Sequence, residues 1–326
     1  MGDGMTSRVL LTGATGFIGA HVAQALRARG DQVTLVDRLS PYYSPQLKID
    51  RLSALCPSFA LHRVDLADTG ACADLFRRTR PDIVIHLAAQ AGVRGSDHAA
   101  YTADNLCATA NVLDGSREVG ARVVMASSSS VYGDAQPPFR EPETGAPLSL
   151  YAATKQGAEA MAQAYSHGHG LSVAALRFFT VFGPWGRPDM APIRFARLIL
   201  SGRPITVYGD GLQRRAFTHI SDAVSGVLAA VDHAPSGFRA YNIGANNCDT
   251  VQSLICLLSS ALDASPLVEY EQARAEDAPA TEADTSRAQS ELGWTPRAAL
   301  AESVAELAYW CRDYYGPGNH GLGNGE

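Results

Sequence analysis

Apolar and polar positions along the chain fall into blocks whose period changes from strand-like to helix-like and back. "RVLLTGATGFIG" (8–19) is an apolar run closed by a glycine turn, and "AHVAQALRARG" then repeats its apolar residues at helical spacing. "DQVTLVD" reads as a second strand ending at Asp37, "LHRVDLAD" as a short third one and "IVIHLAA" as a fourth. The fourth is apolar almost throughout, the mark of a strand covered on both faces. "RVVMAS" and "SVAALRFF" read as further strands, with helices over "ADLFRRTRPD", "TADNLCATANVLDGSREVG" and "YAATKQGAEAMAQAYSHGHG". Strands alternating with helices predict an α/β fold, a Rossmann-type doubly wound parallel sheet. After about Phe179 the rhythm breaks, and segments rich in Pro, Gly and Arg such as "GPWGRPDM" separate shorter elements. The pattern divides the chain into a sheet domain over 1–179, to which later segments can return, and a smaller lobe over 180–315. The lobe is expected at the C-terminal edge of the sheet, where open α/β sheets hold ligands. The Gly/Asn-rich tail, 316–326, is expected to be disordered.

Composition narrows the classes. The 326 residues carry a net charge of −6, which disfavours a nucleic-acid partner, since that needs a basic face. No apolar stretch approaches the ~20 residues of a membrane span, and no long signal core precedes the first strand, so a cytoplasmic protein is expected. The six cysteines form no Cys-x-x-Cys pair or metal-like cluster; they read as buried thiols in a reducing compartment.

The first glycine turn carries chemistry. Gly13, Gly16 and Gly19 lie between a strand and a helix. Glycines there permit a tight turn, close approach of backbone N–H groups to a pyrophosphate, and close helix packing. Asp37 ends the second strand 18 residues after Gly19. Its carboxylate suits a ribose diol and would repel a 2′-phosphate, which favours NAD over NADP, although Arg38 beside it pulls the other way. Asp65 and Leu66 are placed for the adenine, and Leu87, Ala88, Ala89 and Gln90 for the pyrophosphate side.

Two further stretches point to a reaction. In "VVMASSSSVYG" (123–133) an apolar run ends in four serines, Ser127 to Ser130, a pattern that fits either a polar turn or hydroxyls held at a strand end. Tyr151 and Lys155, in "YAATK", sit four apart and share one helical face. An ammonium and an oxidised nicotinamide together would favour the phenolate and let Tyr151 serve as a base near neutrality.

In order and location, the glycine turn, "SSSSVYG" and "YAATK" resemble the extended short-chain dehydrogenase/reductases that act on nucleotide sugars. The resemblance runs on through "RFFTVFGPWGRPDM", "RRAFTHISD", "YNIG" and "ADTSRAQSELGW". Within that family "DRLSPYYSPQLKIDRL", "AAQAGVR" and "RFFTVFGPWGRPDMA" are similar to UDP-glucuronate 4-epimerases, with departures at Gly95 and at "RAED" (274–277). The resemblance implies bound NAD, with Phe17, Ile18 and Asn105 joining the cofactor residues above. It makes Tyr151, Lys155 and Ser128 catalytic, with Ser128 sharing the reacting oxygen and Ser129 and Ser130 bonding the rest of the sugar. The serines thus belong to the site. It assigns Arg94, Arg215 and Arg274 to the diphosphate, Asp277 and Phe217 to ribose and uracil, and Val207 to the same pocket. It also implies a homodimer through a helix bundle containing the Tyr151 helix.

Arg187 is the informative residue for the sugar. A guanidinium grips a carboxylate in bidentate fashion, and Thr180 adds a hydroxyl, so together they suggest a 6-carboxylate. The implied reaction inverts the 4-hydroxyl of UDP-glucuronate through a 4-keto intermediate, giving UDP-galacturonate. Three other readings stand beside it: a UDP-glucuronate decarboxylase, a 4-epimerase of UDP-glucose or its N-acetyl relatives, and a dinucleotide-sensing regulator without catalysis. Dehydration is disfavoured, because Ser128 to Ser130 stand where related dehydratases carry carboxylates. His86, His167 and His169 read as structural or surface residues.

Overall fold

The computed structural model describes residues 7–58, 60–92, 97–273 and 280–316. Its centre is a seven-stranded parallel sheet of β1 (Arg8–Thr12), β2 (Gln32–Val36), β3 (Leu61–His62), β4 (Ile83–His86), β5 (Arg122–Ser128), β6 (Val173–Phe178) and β11 (Phe238–Ile243). The strand order β11-β6-β5-β4-β1-β2-β3 reverses direction at β1, so a crevice opens between the ends of β1 and β4. Strand alternation builds two cores. Val9, Leu11, Ile85 and Val124 face α1 (Phe17–Arg29), α8 (Ile220–His233) and α10 (Ser286–Leu292). Leu10, Val84, Val123 and Met125 face α3 (Thr69–Thr79), α5 (Ala108–Val119) and α6 (Leu150–His169). β11, α8 and α10 show that the sheet unit is completed by chain well beyond Phe179.

The second lobe has its own core, in which α7 (Ala191–Leu200), β8 (Ile205–Tyr208), α9 (Val251–Leu262) and α11 (Leu300–Tyr315) bring together Phe195, Leu254, Leu258, Leu307 and Trp310. Short strands β7 (Thr180–Phe182) and β10 (Phe217–His219) pair in parallel, and β9 (Arg214–Arg215) lies between β12 (Asp249–Thr250) and β14 (Ala280–Thr281).

Several sequence expectations need correction. α2 (Pro45–Leu55) has no counterpart among them, although Ser44–Pro45 is a helix-start signal; Ser44 caps it by accepting from the Leu47 amide at 3.4 Å. The helix expected over 102–120 starts at His98 (α4, His98–Thr102) and reaches α5 through a π-helical turn at Ala103–Cys107. Cys56, Cys72 and Cys311 are buried, but Cys107 and Cys256 are exposed and Cys248 is half-buried, because they lie on the outward sides of their helices or on a loop. No helix among the described residues is long and apolar enough to cross a membrane. The 316–326 tail lies outside the described residues apart from Gly316.

Candidate active site

A single cleft of about 500 Å³ runs across the C-terminal edge of the sheet, from the glycine turn to the second lobe. Gly13 takes the left-handed conformation (φ +69°), and a Cβ there would sit 2.6 Å from the Ala88 amide nitrogen. A Cβ on Gly19 would sit 2.1 Å from the Gly13 carbonyl oxygen. Only glycine lets the turn lie this close to the segment after β4. Gly16, Phe17, Ile18, Leu66, Leu87, Ala88, Ala89 and Gln90 all line the cleft. Asn105 does not. It is buried, accepting from the Gln90 amide at 2.8 Å and donating to the Gln90 carbonyl and to Thr154 Oγ1 at 3.0 Å each. The π-helical turn carries it inward, so it holds the wall in place without forming the surface.

The acidic end of this half is ordered by backbone and charge. Asp37 accepts from the amides of Thr15 (3.0 Å) and Leu39 (2.8 Å) and lines the cleft. Arg38 is held by two carboxylates, Asp65 at 2.9 Å and Asp104 at 2.7 Å. Its charge is therefore already answered, and three carboxylates, Asp37, Asp65 and Asp104, line this end of the cleft. The glycine cradle and Asp37 fit NAD.

Tyr151, Lys155 and Glu159 lie at successive turns of α6 and meet the end of β5. Ser149 starts the helix by accepting from the Ala152 amide at 3.1 Å. Tyr151 and Ser128 line the cleft together, Lys155 Nζ donates to the Ala126 carbonyl at 2.8 Å, and the Ser127 hydroxyl donates to Glu159. Glu159 also pairs with buried Arg177, Oε2 to Nη2, at 2.7 Å. The serine run therefore divides. All four serines border the cleft, but Ser127 is nearly buried with its hydroxyl committed to Glu159, while Ser128, Ser129 and Ser130 are more open. Burial pushes the Lys155 ammonium down to about 8, against the Glu159 charge. Burial pushes the Tyr151 phenol up, opposed by the neighbouring Ser128 hydroxyl and the Arg187 charge. The Lys155 ammonium stands 6.0 Å from the Tyr151 ring centre.

Thr180, Arg187 and Arg215 line the far end of the cleft. Phe217 and Val207 do not line it, which corrects their assignment. Both are buried in the core of the second lobe, where Phe217 packs edge-on against Phe182 at 6.2 Å, because strand alternation turns them inward. Arg94, Arg274 and Asp277 lie outside the described residues. His86 is structural: its Nδ1 meets Thr12 Oγ1 at 2.8 Å and its Nε2 meets Thr109 Oγ1 at 3.2 Å in the core.

Two cations escaped the sequence reading. Lys48 on α2 lines the cleft, nearly buried, and donates to the Ser40 carbonyl at 2.6 Å. Arg51, fully buried, donates to the carbonyls of Thr15 (2.7 Å) and Trp185 (2.6 Å) and to the Tyr43 hydroxyl (2.8 Å). It ties the glycine turn to the segment carrying Arg187. The sequence signals were the Ser–Pro start of α2, which places both residues on one helix, and the stretch "DRLSPYYSPQLKIDRL", which contains both.

The glycine cradle, the Tyr/Lys pair on α6 and the hydroxyl-lined strand end define a nucleotide-dependent enzyme of the short-chain dehydrogenase type. The chain belongs to the NAD dependent epimerase/dehydratase family, whose model matches residues 9–244. It is 40% identical to UDP-glucuronate 4-epimerase 1 of Arabidopsis thaliana, over 94% of this chain and 77% of that protein. It is 37% identical to the UDP-glucuronate 4-epimerase of Thermodesulfobacterium geofontis, over 93% of this chain and 96% of the relative. Among solved structures, a UDP-glucuronic acid 4-epimerase from Bacillus cereus, in complex with UDP-glucuronic acid and NAD, superposes with a TM-score of 0.88. That pair shares 31% identity and covers 94% of this chain and 99% of the other.

Proposed function

We infer that the protein is an isomerase that uses NAD to interconvert UDP-glucuronate and UDP-galacturonate by 4-epimerisation. The observation that carries the reading is the convergence of Tyr151, Ser128 and Arg187 on one cleft continuous with the glycine cradle. The family match and the relatives named above support the same activity.

Residues from Gly13 to Gly19, with Asp37 and Leu87 to Gln90, hold NAD. Bound there, the nicotinamide supplies reversible hydride acceptance at carbon 4 of the sugar. Tyr151 takes the proton of the 4-hydroxyl and returns it after the 4-keto sugar has presented its other face. Ser128 shares the hydrogen bond at that oxygen, and Lys155 contributes positive charge beneath it. Ser129 and Ser130 bond sugar hydroxyls, Arg215 answers the diphosphate, and Arg187 with Thr180 grips the 6-carboxylate. That grip fixes the carboxylate and opposes loss of carbon dioxide from the β-keto acid intermediate.

Incubation with UDP-glucuronate, followed by separation of the products, tests the reading. UDP-galacturonate is the expected product; a UDP-pentose as sole product, or no turnover at all, overturns it.

The reading extends to a homodimer. Ala153, Gly157, Ala160 and Ala164 leave a face of small, partly or fully exposed side chains along α6, which suits close packing of a second helix. Sedimentation of the purified protein tests this.

A further inference from the structure

Arg187 does not face the sugar end of the cleft as a bare cation. Asp189, two residues on, occupies one edge of its guanidinium fork, with Oδ1 3.1 Å from Nε and Oδ2 2.5 Å from Nη2. Tyr42, from the loop after β2, donates its hydroxyl to Asp189 Oδ2 at 3.2 Å, and its ring lies 5.6 Å from the guanidinium centre. The Arg187 side chain is mostly buried, whereas Asp189 is 39% exposed. A bidentate carboxylate leaves Arg187 one free edge and nearly cancels its charge.

We propose that Asp189 is a specificity-determining residue of the sugar pocket, one that restrains the preference of Arg187 for a carboxylate-bearing sugar. The proposal rests on the reading that Arg187 meets the 6-carboxylate. With the pair intact, a neutral hexose enters without stranding a buried guanidinium, and leaving such a cation unpaired would be costly. A uronate must share Arg187 with a carboxylate already in place. Tyr42 stabilises the shared arrangement, since its hydroxyl carries part of the Asp189 charge.

The test compares affinities of the NAD-loaded enzyme for UDP-glucuronate and UDP-glucose, expressed as a ratio. Asp189→Asn keeps the shape and removes the charge, and should raise the ratio by about 2- to 5-fold, the scale of a partly exposed ion pair. Asp189→Glu keeps the charge and should leave the ratio near that of the wild type. Tyr42→Phe, which leaves Asp189 with Arg187 as its main partner, should lower it. A ratio that stays level or falls in Asp189→Asn overturns the proposal, because Asp189 would then merely orient Arg187. If neither the wild type nor Asp189→Asn prefers UDP-glucuronate, the uronate reading fails and this inference fails with it. A preference that is present but insensitive to Asp189 sinks the inference alone.

Discussion

Lys155 donates to the carbonyl of Ala126 at 2.8 Å, which pins the α6 helix to the strand whose next residues are the pocket serines. Its position is thus set by β5 and its charge by the balance of burial against Glu159. Lysine here is cationic below about 8, where it helps a Tyr151 phenolate, and neutral above it. Turnover should therefore fall along an alkaline limb near that pH, and Lys155→Met should lose most activity together with the limb. A pH–rate profile of both enzymes checks this.

Tyr151→Phe keeps the ring and deletes the oxygen proposed as acid and base. Turnover should drop by roughly 10²- to 10⁴-fold, the range for a lost general base. Binding of UDP-glucuronate, measured by calorimetry, should be largely retained. Near-normal turnover would remove Tyr151 from the mechanism.

The neutralised Arg38 makes a cofactor prediction. Protein denatured after purification should release NAD and little NADP. Asp104→Asn frees one edge of Arg38, so affinity for NADP should rise relative to NAD. A fluorescence titration with both dinucleotides would show it; an unchanged ratio would mean that Asp37 alone decides the choice.

Arg187→Ala removes a charge-assisted contact worth about 1.5–3 kcal/mol. Affinity for UDP-glucuronate should fall by roughly 10- to 150-fold, while UDP alone binds as before. With the carboxylate released, UDP-pentose should increase among the products. Equal losses with UDP-glucuronate and UDP-glucose would assign Arg187 to the fold or the diphosphate.

One buried histidine, His86, and one half-buried, His21, make stability sensitive to acid. Burial lowers His86 to about 3 and His21 to about 4, from an ordinary 6.5. Between those values the unfolded chain binds protons that the folded one refuses. Their stabilisation is complete above 6.5 and drains away as pH falls toward 4 and 3. Thermal melts should show Tm dropping across that window, with a shallower slope in His21→Gln.

The glycine turn, the parallel sheet and the Tyr151/Lys155 pair were legible in the sequence because each is a short-range matter. A glycine's missing Cβ, a strand's run of apolar residues and a four-residue helical spacing act within one or two turns of chain. The serine run was legible as a cluster, but its division was not: Ser127 turns to Glu159 because strand alternation and the docking of α6 send it inward. Asn105, Phe217 and Val207 matched the family pattern yet left the surface of the cleft for the same kind of reason. Neighbouring elements, not their own identities, decide which way they face.

Charge pairing lay furthest out of reach. Arg38 meets Asp104 from 66 positions away, and Arg51 reaches Trp185 across 134. Sequence determined that this chain builds a nucleotide cleft with the Tyr151/Lys155 pair at its edge. Tertiary structure alone decided which cations in that cleft are already answered, since ion pairs form wherever packing brings charges together, whatever their separation along the chain.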